Sequence, residues 1–311
     1  MFKLKSNTTL WIVFAVLLTA VVLIFTTEST KKERSFRKEL VTIDTSAVTS
    51  LSIYPKSKNG QEVKLLLDDN TDTWKVSGEN SRTYSVPKSK IDNLFTQLLA
   101  IKPKRVAARS KTKWKEYQVD SAATRVVVNE DGAEVLDLII GKFAFQQPRS
   151  MSTFVRLNDE NEVYEVDGFL DMTFNKDVNS FRNETIVKSD KNKWEKLSFF
   201  YTEGESFELV KMENNWIIDG LATDSAKTVN TFNSLARLTN TNFIDKTPDE
   251  ILPQQTSKLV IEVEDSEPIE IIGYKNDSKY FIHSSQNPEN YFDGKTIGSK
   301  IFIDKKSFLK E

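Results

Sequence analysis

The chain has 311 residues, with 43 Lys+Arg against 45 Asp+Glu, a near balance that argues against a general nucleic-acid binder. It has no Cys and one His, which excludes disulfides, thiol nucleophiles, thiolate metal sites and His-rich metal cages. Twenty Phe, eight Tyr and five Trp supply the core material that disordered chains lack.

Residues 1–30 are expected to form an N-terminal transmembrane anchor. Leu10 to Phe25 is apolar except for Thr19. With the flanking threonines, residues 8–27 give a helix of roughly 30 Å at 1.5 Å per residue, which matches the hydrocarbon thickness. A cleaved signal peptide is the competing reading, but Thr26-Thr27-Glu28-Ser29-Thr30 offers no Ala-x-Ala-like site. Lys3 and Lys5 precede the span; Lys31, Lys32, Arg34, Arg37 and Lys38 follow it. A strict charge count puts the body in the cytoplasm, yet long domains translocate largely regardless of charge. The expected placement is a single-pass protein of a bacterial inner membrane with a periplasmic body.

Beyond a charged stalk, residues 31–182 read as a first α+β unit. Val48 to Tyr54 alternates apolar and polar residues as a half-buried strand, Asn59-Gly60 turns, and Glu62 to Leu67 returns. Trp74-Lys75-Val76 starts a third strand. Pro87, behind Ser85 as cap, opens a helix whose stripe is Ile91, Leu94, Phe95, Leu98 and Leu99. Pro103 stops it. Ser110 caps a short helix bearing Trp114 and Tyr117 on one face. Arg125 to Asn129 and Ala133 to Ile140 flank Glu130-Asp131-Gly132 as a hairpin that ends at Gly141. Phe154 to Leu157 and Glu162 to Val166 make a further pair. Phe169 to Phe181 is a short amphipathic connector.

Residues 183–311 repeat this order as a second α+β unit. The opening phrase Ser35-Phe36-Arg37-Lys38-Glu39-Leu40-Val41 returns as Ser180-Phe181-Arg182-Asn183-Glu184-Thr185-Ile186-Val187. Trp194 to Tyr201 and Phe207 to Val210 pair around Glu203-Gly204, and Trp216-Ile217-Ile218 stands where Trp74-Lys75-Val76 stood. Asp224 caps a helix bearing Val229, Phe232, Leu235 and Leu238. Thr247-Pro248-Asp249-Glu250 reads as a capping box. Lys258 to Val263 and Ile269 to Ile272 form the next hairpin, ending at Gly273. Phe281-Ile282 and Ile301-Phe302-Ile303 close the unit. A period of roughly 140 residues is too long for a solenoid repeat. The expected fold is therefore α+β: an N-terminal transmembrane helix followed by two tandem homologous domains of antiparallel sheet plus helix.

No Gly-rich phosphate loop and no nucleophile-elbow motif is present. His283 reads as a strand-end residue, and Glu262, Glu264, Asp265 and Glu267 as a solvated hairpin. No catalytic residue, metal ligand or cofactor is expected. The candidate surface lies in the basic stretch 102–117, whose only acid is Glu116. Lys104, Arg105, Arg109 and Lys113 supply charge, with Trp114 and Tyr117 as aromatic anchors, for an anionic ligand or a partner protein. An ordinary solvated face gives the same composition. Phe143 and Phe145 are expected in the core.

Glu39-Leu40-Val41-Thr42-Ile43-Asp44, Lys102-Pro103-Lys104-Arg105, Ala107-Ala108-Arg109-Ser110, Trp114 with Glu116-Tyr117-Gln118-Val119, Gly141-Lys142-Phe143 and Val163-Tyr164-Glu165-Val166-Asp167-Gly168-Phe169-Leu170 together resemble the bacterial membrane-anchored family called domain of unknown function 4340. The resemblance implies association with the auxiliary subunits of gliding-type ABC transporters. It implies no catalytic residue or cofactor. The anchor, the duplication and the absence of a nucleophile or metal motif lead to the expectation of a non-enzymatic accessory or interaction protein of the cell envelope. An envelope module binding an anionic glycan or lipid headgroup is the alternative.

Overall fold

The computed structural model describes residues 14, 16–19, 37–78, 82–146, 150–213, 215–245, 254–276 and 279–310. The expected span 8–27 falls largely outside them. Phe14 and Val16 to Thr19 are helical and exposed, and among the described residues no helix is long and apolar enough to cross a membrane. The capping box at Thr247 also lies outside the described residues.

Two large antiparallel sheets dominate. The first contains β1 (Val48–Tyr54), β2 (Val63–Asp68), β3 (Thr73–Ser77), β4 (Thr83–Val86), β5 (Pro103–Ala108), β6 (Thr124–Glu130), β7 (Ala133–Gln146), β8 (Ser150–Leu157) and β9 (Val163–Asp167). Their spatial order is β4-β3-β2-β1-β6-β7-β8-β9-β5. A separate two-stranded ladder pairs β10 (Thr185–Lys188), which precedes the second sheet in the chain, with β15 (Arg237–Thr239), which interrupts it. The second sheet contains β11 (Trp194–Tyr201), β12 (Phe207–Met212), β13 (Asn215–Ile218), β14 (Leu221–Ala222), β16 (Phe243–Ile244), β17 (Gln254–Val263), β18 (Ile269–Asn276), β19 (Lys279–Ser284) and β20 (Asn287–Asp293). Its order, β14-β13-β12-β11-β17-β18-β19-β20-β16, repeats that of the first.

Local chemistry explains the hairpins. Asp131-Gly132 joins β6 to β7, and Asp219-Gly220 joins β13 to β14, each with both residues at positive φ. Such turns match the twist of the strands they connect. Proline can open β5 because that strand lies at the sheet edge, where a missing N–H costs no ladder bond.

Each sheet buries one face against a helix. Helix α1 (Lys88–Leu99) turns Ile91, Leu94, Phe95 and Leu98 inward, and Phe95 meets Trp74 of β3 edge-on at 5.9 Å. Two short helices follow, α2 (Trp114–Tyr117) and α3 (Asp171–Phe174). Helix α4 (Ser225–Leu235) is capped as expected: the Asp224 carboxylate accepts the Ala226 and Lys227 backbone N–H groups. Its Phe232 meets Trp216 of β13 edge-on at 4.8 Å, the same strand-to-helix contact as in the first sheet. Helix α5 (Gly298–Ile301) closes the second core.

Several expectations need correction. Ser85 is not a cap; it lies in β4, and Pro87 precedes α1 without a side-chain cap. Leu99 and Val229 are exposed, because each sits on the flank of its helix, and Thr228 takes the buried place beside Phe232. Leu238 is buried on β15 rather than on the helix. Gly141 and Gly273 do not end their strands. A Cβ at Gly141 would run into the Tyr117 carbonyl and Val119, and one at Gly273 into Ser257 and Tyr280, so close approach explains both glycines. Ile301-Phe302-Ile303 is not a strand; the closing strand is β20.

The two sheets meet through the segment that opens the second unit. Arg182 is 1% exposed, and its guanidinium sits 3.6 Å from the Tyr84 ring centroid in β4 and 4.1 Å from that of Phe243 in β16. It donates to Asn290 Oδ1 at 2.8 Å and to Asp245 Oδ1 at 2.6 Å. The Asn183 N–H donates to the Ser85 carbonyl, and the Ser85 N–H to Glu289 at 2.6 Å. Asn287, buried in β20, donates to the Asn183 and Thr185 carbonyls. The buried members, Arg182, Asn287 and Asn290, carry polar groups that would be costly to bury alone.

Candidate functional site

Strand β5 and helix α2 carry the basic stretch, and the structure brings it against β9. Pairing β5 with β9 places its cations opposite a row of acids. Arg105 meets Glu165 at 2.5 Å, Lys104 pairs with Asp167, and Arg109 pairs with Glu162. Lys113, just before α2, pairs with Glu116 at 2.9 Å, which raises the lysine pKa and lowers that of the carboxyl through their hydrogen bond. Glu165 is the consequential partner: it is 2% exposed and also accepts the Ser152 hydroxyl at 2.8 Å. A buried carboxylate needs compensation, and Arg105 supplies it.

The aromatic residues of the stretch are packed rather than presented. The Arg156 guanidinium lies 3.7 Å from the Trp114 ring centroid, and the indole N–H donates to the Asn161 carbonyl at 3.1 Å. Arg156 is itself buried, bonded to the Val119, Leu157 and Asn158 carbonyls, and burial holds its pKa below the usual arginine range. Tyr117 packs on Phe154 at 4.6 Å and donates its hydroxyl to the Ala107 carbonyl. Trp114 and Tyr117 thus flank a small core of Val119, Ile139, Phe154 and Val163 on the sheet face away from α1. All six sequence candidates are brought together, but around internal partners.

The exposed aromatic surface lies elsewhere. Phe143 and Phe145 are 54% and 57% exposed, which overturns their expected place in the core. The register of β7 on β8 shifts between Ile140 and Phe143. Such a shift moves following side chains to the opposite face. Ala144 then packs toward the small core, while Phe143 and Phe145 turn the other way and stay exposed. Met151, cross-strand from Phe145, is 49% exposed, and Phe143 packs on Phe169 at 4.7 Å. Met172, in α3, is also exposed. The only sequence signal for it was the alternation Phe143-Ala144-Phe145, and the alternation does not say which face is covered.

His283 lies on β19, cross-strand from Tyr291, with the two rings stacked at 4.6 Å. Its Nε2 is 3.2 Å from the Pro288 carbonyl, and burial lowers its pKa. No carboxylate contacts it among the described residues. Nor does any group of three or more His, Cys, Asp or Glu side chains there have an arrangement fit for a metal ion.

These features define an α+β protein of two large antiparallel sheets, with a self-neutralised basic edge and an exposed aromatic hairpin. Residues 74–260, from β3 to within β17, match the model of the family described as Domain of unknown function (DUF4340), and the chain belongs to that family. No curated protein and no solved structure matches the chain.

Proposed function

We propose that this protein is a membrane-anchored, non-enzymatic accessory protein of the bacterial cell envelope that holds a protein partner through the β7–β8 hairpin. In this reading residues 8–27 span the inner membrane, the body is periplasmic, and the partner belongs to an ABC-type transporter or a gliding-related auxiliary complex. The two units descend from one doubled module; the repeated strand order and the matched Trp–Phe contacts support that descent.

The observation that carries the proposal is the patch of Phe143, Phe145 and Met151, with Phe169 packed on Phe143. Contiguous exposed apolar surface marks interaction sites, and aromatics and Met are enriched at interface cores. A protein fits the patch better than a lipid surface. The basic residues of the neighbouring edge strand, Lys104 and Arg105, are neutralised by Asp167 and Glu165, so they offer little attraction to anionic headgroups.

Co-purification from detergent-solubilised membranes tests the reading. The wild-type chain is expected to retain a membrane protein that the Phe143→Asp/Phe145→Asp variant loses, with the folded body unchanged. Equal recovery by both proteins would overturn it.

A further inference from the structure

A groove of about 1260 Å³ lies between the start of α1 and the β10–β15 ladder. Four cations line it: Lys90, Lys188, Lys191 and Arg237. Two of these are already engaged. Lys90 donates to the Ser180 and Arg182 carbonyls and to Glu184, and Lys191 donates to Asn233. The lining acids are engaged as well, Glu184 by Lys90 and Asp190 by the Asn192 N–H.

Lys188 and Arg237 are different. They are directly opposite each other across the β10–β15 pair, both exposed on the groove face. Neither side chain has an ion-pair or hydrogen-bond partner among the described residues. Like charges directly opposite on paired strands are destabilising, and the ladder is otherwise firmly set: Gln286 bonds both the N–H and the C=O of Lys188 from the far side. The fold therefore fixes two cations side by side with nothing between them to neutralise either.

We infer that this groove is a binding site for a small phosphate-bearing anion, held between Lys188 and Arg237. A guanidinium fork gives bidentate contact to phosphate oxygens, and an adjacent ammonium adds a second point of charge. The hydroxyls of Ser89, Thr185 and Thr239 line the same space as further donors. Among the described residues no aromatic side chain lines it, so they offer no platform for a sugar ring or an apolar peptide anchor. The site is separate from the Phe143–Phe145 patch and does not depend on the role proposed for it.

The full chain in zwitterionic detergent, titrated calorimetrically with inorganic pyrophosphate, tests the inference. Saturable binding is expected, weakened at least roughly tenfold by Lys188→Glu/Arg237→Glu and unchanged by Lys104→Glu in the self-neutralised edge. A second readout is stability: pyrophosphate raises the wild-type melting temperature and not that of the double variant. Absence of saturable binding, or equal binding by the Lys188/Arg237 variant, overturns the inference. Reconstitution into phosphatidylcholine nanodiscs with and without phosphatidylglycerol separates two sources of the anion. Weaker pyrophosphate binding with the anionic lipid identifies a headgroup ligand; unchanged binding identifies a soluble one.

Discussion

The guanidinium of Arg182 stands over the Tyr84 ring, 3.6 Å from its centroid, and so joins the edge strand of the first sheet to the segment that opens the second. Phe243, from the edge strand β16 of the second sheet, approaches the same guanidinium at 4.1 Å. One buried cation thus touches both sheets. Arg182→Met keeps much of the apolar stem but leaves Asn290 without its donor and Asp245 without its ion pair. A buried acceptor left unsatisfied costs about 1–3 kcal/mol, a loss to be read from the shift in urea midpoint. Asp245→Asn should cost at least as much, because it leaves the buried Arg182 guanidinium without its counter-charge.

Arg105 should behave differently from the other cations of the basic stretch. Arg105→Met strands Glu165 in the protein interior and should cost about 2 kcal/mol or more. Arg109→Met and Lys113→Met leave partners that water can reach, so their denaturation midpoints should move little. Equal effects at all three positions would contradict the buried role of Glu165.

Gly141→Ala tests the close crossing of β7 under α2. The added methyl would meet the Tyr117 carbonyl, which is backbone and cannot swing aside. Overpacking of this kind costs roughly 1–3 kcal/mol. A variant as stable as the wild type in denaturant would show that the crossing is looser than described.

The single histidine gives a clean pH prediction. Burial lowers the His283 pKa below its ordinary 6.5, so the unfolded chain takes up the proton more readily than the folded one. The contribution of neutral His283 is fully present above pH 6.5 and is lost as pH falls through the lower folded value. Melting temperature should therefore fall more steeply below pH 6.5 in the wild type than in His283→Gln. The imidazole NMR titration, free of overlap from other histidines, should report a midpoint below 6.5; a midpoint at or above it would contradict the packing against Tyr291.

Much of this architecture was legible where local chemistry decides it. Asn59-Gly60 and Asp131-Gly132 encode turns, Asp224 encodes a cap, and Trp74 and Trp216 mark the same strand in two sheets. What escaped the sequence depends on distant partners. Strand β20 was hidden because its buried positions include Asn287 and Asn290, whose burial is intelligible only beside the Asn183 and Thr185 carbonyls and the Arg182 guanidinium. The basic stretch looked like a surface for anions because Glu162, Glu165 and Asp167 lie 53 to 63 residues beyond their partners and become neighbours only when β5 pairs with β9. Phe143 and Phe145 looked like core because the register shift that turns them outward has no composition of its own. Lys188 and Arg237 drew no notice for the same reason: only the β10–β15 ladder sets them side by side.

Site-specific photo-crosslinking in intact cells tests the interaction role most directly. A photoreactive residue at position 145 should form a discrete adduct with one membrane protein, and the same residue at position 99, exposed on α1, should not. Adducts of equal pattern at both positions, or adducts with lipid alone at position 145, would contradict a protein-binding hairpin.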